Sequence, residues 1–205
     1  MLVSLIVAIA MAASAPSEAE IGGKSSPKAL RALHAYGRCV AIERPVAVRA
    51  LLDSDFRDRA YGKEMRKLVN RPAPCPGVSV PRGAYSSGTL LWGGALAEGL
   101  LRRDGSLDDL AARTGYNPAL PAIEARNAGE LMAFCAVRKD AAAVARLLKT
   151  DPATAAEYDA IVALGPVLGG CLPANSKSRF TREALRALLA LGANRLAQHN
   201  STAAR

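Results

Sequence analysis

The chain has 205 residues and a formal net charge of +9, and 50% of its residues are hydrophobic while only 4% are aromatic. This length allows one large domain or two small ones, and the hydrophobic share excludes disorder over most of the chain. Alanine and leucine are abundant, which favours packed helices over a β-sandwich. The positive charge suits contact with anionic surfaces but carries no information about the fold. We therefore predict an all-α protein.

Residues 1–19 have the pattern of a secretory signal peptide. Leu2–Ala13 is an almost unbroken apolar run, which is too short for the roughly twenty residues that span a bilayer. The small-x-small pattern Ser17-Glu18-Ala19 predicts cleavage after it, and a second such pattern that ends at Ala15 leaves an earlier cut open. Because the leader contains no Lys or Arg, an uncleaved anchor is the alternative interpretation. We expect a periplasmic or secreted protein.

The first half of the chain, residues 28–103, has the pattern of four helices. After a flexible lead-in over residues 20–27, the first helix is expected from Pro27 to about Ile42, with Ser25 or Ser26 as its cap. Its packing face recurs at helical spacing and consists of Leu30, Leu33, Gly37, Val40 and Ala41.

The next three helices are separated by polar and proline-rich turns. The second is expected to begin near Pro45, and the third to follow a cap at Ser54 or Asp55. A run of prolines then forbids helix continuation. A fourth helix follows this run and contains the pair Gly93-Gly94. Since glycine destabilises a helix, this pair predicts a close approach to a neighbouring helix.

The pattern restarts after a connector over residues 104–120, in which a short helix is expected from Ser106. Residues 121–198 again predict four helices, and the third of them is expected to be capped by Asp151 with a proline in its first turn. The predicted packing face of this third helix is Tyr158, Ile161 and Val162. Residues 199–205 are expected to form a frayed tail.

Two cysteine pairs with the same spacing indicate an internal duplication. Cys39 and Cys75 are 36 positions apart, as are Cys135 and Cys171, and a shift of 96 superposes the pairs. The same shift brings apolar residues into register: Val48 with Val144, Leu51-Leu52 with Leu147-Leu148, and Leu68 with Leu164. We predict two tandem helical repeats of about four helices each.

Four cysteines in an exported chain predict disulfides, because exported compartments are oxidising. Three pairings are possible, and the matched spacing favours Cys39–Cys75 and Cys135–Cys171, one bridge in each repeat. The alternative is four buried free thiols. Zinc is a poorer interpretation, since no CxxC or CxH spacing brings two ligands together locally. We expect neither a metal nor a cofactor.

The residues needed for common catalytic arrangements are missing from the sequence. It contains only two histidines, His34 and His199, and no GxSxG, HExxH, GxxxxGKS or GxGxxG motif. A possible calcium loop that starts at Asp53 is spoiled by Arg57 and by Asp58 where a glycine is required. We therefore assign no catalytic residue, and we favour a non-enzymatic protein over an enzyme.

The most distinctive surface pattern is basic. Arg59, Lys63 and Arg66 fall on one helical face, and Lys67 and Arg71 lie nearby. This pattern predicts a surface for an anionic partner, such as lipid phosphates, an acidic envelope polymer or an acidic protein. The alternative is a solvated face that is partly neutralised by nearby acids, namely Asp55, Asp58 and Glu64. Nucleic acid is not expected as a partner, because an exported protein is separated from the nucleic acid of the cell. In addition, no aromatic residues interleave with the cations.

Short segments carry a resemblance to a group of uncharacterised exported proteins of alphaproteobacteria. These segments are Cys39-Val40-Ala41, Leu51-Leu52, Cys75-Pro76 and Gly94-Ala95-Leu96-Ala97-Glu98-Gly99-Leu100. The group resembles this chain in its signal peptide, duplicated helical units and paired cysteines, and it implies no known activity. The second copy departs from the last segment, because its match, Ala184–Leu189, has no glutamate. Ala95 and Ala184 lie 20 and 13 residues after the second cysteine of their copies, which predicts a seven-residue loop insertion in the first copy.

Three functional hypotheses follow from the sequence. The first is a non-enzymatic exported module that binds a protein or an anionic component of the cell envelope. The second is an enzyme or an enzyme inhibitor with a site between the repeats, for which Glu98, Tyr36 and His34 are the candidate polar groups. The third is a periplasmic stress chaperone.

Overall fold

The computed structural model describes residues 26–55, 57–70, 75, 78, 88–172 and 180–202. Within these ranges the chain forms nine α-helices and no strand. They are α1 Pro27–Glu43, α2 Pro45–Leu52, α3 Arg59–Asn70, α4 Thr89–Arg103, α5 Leu110–Thr114, α6 Ala128–Lys139, α7 Ala141–Lys149, α8 Ala155–Gly169 and α9 Arg182–Thr202. The all-α prediction is confirmed. The predicted signal peptide and Arg71 lie outside the described residues.

Helix α1 begins where local signals predict. The Ser26 hydroxyl accepts a hydrogen bond from the backbone N–H of Ala29 at 3.2 Å, and Pro27 occupies the first turn. A serine cap satisfies one of the N–H groups that a helix start leaves without a partner. The start of α2 at Pro45 is also as predicted.

Two predicted caps are wrong, because other residues satisfy the backbone. Helix α3 begins at Arg59, since the Asp55 carboxylate accepts the backbone N–H of Arg57 at 3.0 Å rather than capping a helix. Helix α8 begins at Ala155 instead of directly after Asp151.

The start of α8 is a reciprocal capping box. The Thr154 hydroxyl accepts the N–H of Glu157 at 3.3 Å, and the Glu157 carboxylate accepts the N–H of Ala153 at 2.9 Å. Ala153 has a φ of 57°, a conformation that non-glycine residues adopt uncommonly. This turn orients Glu157 towards the core, where its carboxylate has a second role described below.

Three further expectations differ from the structure. The connector helix α5 begins at Leu110 and not at Ser106. Helix α9 continues to Thr202, and the Asn200 side chain donates to two carbonyl groups, so the frayed tail does not begin at residue 199. The predicted packing face of α8 is wrong, since Tyr158 and Val162 are 40% and 57% exposed.

Helices α4 and α9, which contain long buried stretches, pack against each other at the centre of the molecule. Helix α1 packs on the other side of α4, and α6 packs on the other side of α9, so that the four helices form a row. Helices α2 and α3 lie beside α4, and α7 and α8 lie beside α6. Among the described helices, none is both long and apolar enough to cross a membrane.

A glycine allows the two central helices to approach closely. A Cβ atom at Gly94 of α4 would collide with the backbone of Ala187 in α9. This confirms the close approach predicted from Gly93-Gly94. Because the obstacle is backbone and not a flexible side chain, the helix crossing itself depends on the missing side chain.

Both disulfides have the predicted pairing. Cys39 of α1 is bonded to Cys75, and Cys135 of α6 is bonded to Cys171 just after α8. No free cysteine remains. Each bond therefore joins the first helix of its half to a segment 36 positions further along the chain.

Candidate functional site

Arg186 of α9 is a charged residue that is 0% exposed. Its guanidinium lies 2.9 Å from a carboxylate oxygen of Glu98 in α4 and 3.1 Å from a carboxylate oxygen of Glu157 in α8. A buried charge is tolerated when it is paired and hydrogen-bonded. Arg186 thus joins α9 to α8, its neighbour in the sequence, and to α4, which is distant in the sequence.

The same guanidinium also caps the C-terminal end of α7. It donates to the carbonyl oxygens of Leu147, Leu148 and Thr150 at 3.3, 3.2 and 2.9 Å. The last carbonyls of a helix have no intrahelical donor, and a positive charge is favourable at this end. Arg186 therefore satisfies two carboxylates and a helix terminus at once.

Glu98, the second centre of this cluster, is also 0% exposed. The Nδ1 atom of His34 in α1 lies 3.2 Å from one of its oxygens, without the alignment of a good hydrogen bond, and Nε of Arg102 donates to the other at 3.1 Å. Burial alone would raise the pKa of Glu98, but the neighbouring His34, Arg186 and Arg102 outweigh it and hold this pKa at about 2.

This buried cluster brings together two of the three polar groups suggested by the sequence. His34 and Glu98 are in contact, whereas the Tyr36 hydroxyl donates to the carbonyl oxygen of Val69 at 3.0 Å. Solvent does not reach Glu98, and its oxygens are occupied by protein groups. The arrangement is suited to holding helices together and not to acting on a substrate.

Sequence reasoning missed Arg186 and Glu157. A signal for the first was available: Glu98 is the one charge in the middle turns of α4, and Arg186 is the one charge in the apolar stretch of α9 over residues 184–193. A helix that is apolar on most sides is buried, so isolated charges of opposite sign in two such helices predict a pair. Glu157 was marked only by the spacing Thr154-x-x-Glu157 of a capping box, which predicts the start of a helix but not the contact with Arg186.

The predicted cationic residues lie together on the outer face of α3. Arg59, Lys63, Arg66 and Lys67 are all exposed. The opposite face is buried, with Tyr61, Met65 and Val69 each 2% exposed. Packing therefore fixes the orientation of α3 and directs its cations to solvent. We call Arg59, Lys63, Arg66 and Lys67 the cationic face.

Nearby acids leave most of the cationic face unpaired. Lys67 forms an ion pair with Glu64 at 2.7 Å. Asp55 is occupied by Arg57, at 2.6 Å, and the hydrogen bond from Arg57 lowers the pKa of Asp55. Among the described residues, no carboxylate lies within ion-pair distance of the other three cations. Direct neutralisation by these acids is thus limited to Lys67.

An open groove of about 840 Å³ lies between α2 and α3, beside the cationic face. Its apolar wall comes from Ala47, Ala50, Leu51, Ala60, Tyr61 and Leu68. Arg44 and Lys67 line the end where α2 begins and α3 finishes, and Arg44 donates there to the carbonyl oxygen of Leu68 at 3.4 Å. Asp58 and Glu64 also line the groove, so its rim carries charges of both signs beside the apolar trough.

Comparisons with protein-family models, with curated proteins and with solved structures found no match for this chain. Its function must therefore be argued from these surfaces.

Proposed function

We propose that the chain is an exported, non-enzymatic binding module that holds an acidic segment of a partner protein on the cationic face and in the groove between α2 and α3. The observation that carries this proposal is the position of Arg59, Lys63 and Arg66, which are exposed and have no carboxylate partner among the described residues. Their charges favour an anionic partner and its rapid association.

The groove favours a protein segment over a lipid surface. An amphipathic acidic segment can place apolar side chains against Leu51 and Leu68 in the groove, while its carboxylates meet the unpaired cations of the cationic face beside it. A layer of lipid headgroups would meet only the outward cations and would leave the apolar trough unused. We therefore commit to an acidic amphipathic peptide as the occupant.

Export is supported by the two disulfides, since such bonds persist in oxidising compartments. The apolar run followed by small residues at the start of the sequence supports a periplasmic or secreted location in the same way.

We also propose that the two halves arose by duplication, as the cysteine spacing predicts. In the first half Gly37 of α1 packs against Ala95 of α4, and in the second half Ala133 of α6 packs against Gly192 of α9. The glycine that permits the close approach lies on the first helix of the first half and on the last helix of the second half. On this proposal Ala95 corresponds to Gly192 instead of Ala184, and because these residues lie 20 and 21 positions after the second cysteine of their halves, the halves would differ there by one residue and not by seven.

An exchange of charges supports the same register. Position 34 in α1 corresponds to position 130 in α6, and position 98 in α4 to position 195 in α9. His34 lies 3.2 Å from Glu98, and Glu130 lies 2.6 Å from Arg195. Each half thus ties its first helix to its last helix with an acid and a base, but the signs are reversed. Helix α8, the counterpart of α3, contains no Lys or Arg, so the proposed binding surface belongs to the first half alone.

The proposal is tested by reversing two charges of the cationic face with the variant K63E/R66E. The probe is a synthetic amphipathic peptide that has leucine on one face and glutamate on the other. We expect the unaltered protein to bind the peptide in a salt-sensitive way, and the variant to bind about tenfold more weakly. Fluorescence anisotropy of the labelled peptide measures both affinities.

The variant K28E/R31E is the matched control, because it changes the net charge equally at exposed positions of α1. Equal weakening by the two variants would mean that only net charge matters, and absence of peptide binding would also refute the proposal. Stronger binding to anionic vesicles than to the peptide would favour a lipid partner instead.

A further inference from the structure

A second cavity, of about 690 Å³, lies where the two halves meet, between the ends of α2 and α4 on one side and α5 and α9 on the other. Its volume falls in the range of about 300–1,000 Å³ that is usual for sites of small ligands. The lining residues are mostly polar, unlike those of the groove between α2 and α3. We call this cavity the seam cleft.

The α5 and α9 side of the seam cleft provides two guanidinium groups that are already held in place. Nε of Arg113 donates to Asp109 at 2.9 Å, and its two terminal nitrogens have no hydrogen bond or ion pair with the described residues. Arg195 lies 2.6 Å from Glu130 and stacks over Phe134 at 5.5 Å. Asp109 and Glu130 are not among the cleft-lining residues, so the guanidinium groups are anchored from outside.

The α2 and α4 side of the seam cleft contributes carboxylates. Asp104 is engaged by Arg49 at 2.6 Å. The carboxylate of Asp53 has no hydrogen bond or ion pair with other described residues, and only the backbone of Asp53 is engaged, by Arg49 and Arg126. The α5 and α9 side of the cleft can thus receive the carboxylate of a ligand, and the α2 and α4 side can receive its ammonium group.

Polar groups between these two sides are almost completely enclosed by protein. Asn194 is 5% exposed and Ser106 is 2% exposed, and both line the seam cleft. The Asn194 carbonyl accepts from Gln198 at 3.3 Å. Buried polar side chains that face a cavity supply hydrogen bonds that fix a polar ligand in one orientation.

From this arrangement we propose that the seam cleft binds a small zwitterion, namely a free amino acid or short peptide, with its carboxylate on Arg113 and Arg195 and its ammonium group on Asp53. A simple anion would face the uncompensated charge of Asp53, and a simple cation would face the guanidinium groups. A zwitterion satisfies both signs. This site is separate from the acidic-peptide surface on α2 and α3, and it does not depend on that proposal.

The test is titration calorimetry of the full oxidised protein with trialanine, with N-acetyl-trialanine and with trialanine amide. We expect trialanine to bind saturably and each blocked form to bind at least about tenfold more weakly, because each lacks one of the two charges. R113Q and D53N should each lower the affinity for trialanine by a similar factor. R146Q, on the exposed side of α7, should leave it unchanged.

Four results would overturn the proposal: no saturable binding of trialanine, equal binding of the blocked and free forms, unchanged affinity in R113Q, or equal loss in R146Q. Arg113 and its partner Asp109 are both solvent-accessible, so R113Q should fold normally. Circular dichroism and the melting temperature of each variant separate loss of binding from loss of structure.

Discussion

Replacing Arg186 by methionine should lower the free energy of unfolding by about 3–5 kcal/mol, the usual result of removing one partner from a buried ion pair. Methionine fills much of the space, but it leaves the carboxylates of Glu98 and Glu157 without their shared cation. It also removes the donors that Arg186 supplies to the last carbonyls of α7, where only Arg102 would still donate, to Leu148. Urea unfolding of the oxidised protein measures the loss.

The control for this variant is R146M, on the exposed surface of α7, which should change the free energy of unfolding by less than about 0.5 kcal/mol. The pH dependence is a second readout. Since the folded state lowers the pKa of Glu98 from 4.5 to about 2, its stabilisation is complete above about pH 4.5 and is lost as the pH falls towards 2. R186M should reduce this dependence. A loss below about 1 kcal/mol in R186M would contradict the role given to the cluster.

Removing either disulfide by paired alanine substitutions should lower the free energy of unfolding by about 3–4 kcal/mol in the chain-entropy model. The variants are C39A/C75A and C135A/C171A, and both bonds span 36 positions. Equal loops predict similar losses, and the two losses should add, because the bonds share no residues. Guanidinium unfolding of each pair and of the quadruple variant checks both statements.

A quadruple variant as stable as either pair would contradict independent bridges in the two halves. The same would follow if one pair changed the free energy of unfolding by less than about 1 kcal/mol.

Local signals in the sequence were sufficient for several elements. Ser26 and Pro27 predict the start of α1 because a cap and a proline act within one turn. The equal cysteine spacing predicts the disulfide pairing, and Gly94 predicts a close helix crossing. In each case the physical cause is present in a short stretch or in a simple repeat.

Other features depend on residues far apart in the chain. Arg186 contacts Glu98 across 88 positions, and no periodicity within α9 identifies that partner. Helix α8 is apolar nearly all round, so its pattern does not show which side is buried. At its start, Thr154 and Glu157 form a cap in competition with Asp151, and only the observed hydrogen bonds distinguish them. Tertiary packing decides such positions.

Non-reducing peptide mapping, with N-terminal analysis, of protein recovered from outside the cytoplasm of its source cells tests whether the chain is exported and whether each half is closed by its own disulfide. We expect a mature chain that has lost its first residues and contains two linked peptide pairs, Cys39 with Cys75 and Cys135 with Cys171. Retention of Met1, a bond between the halves, or four thiols open to alkylation in native protein would contradict this expectation.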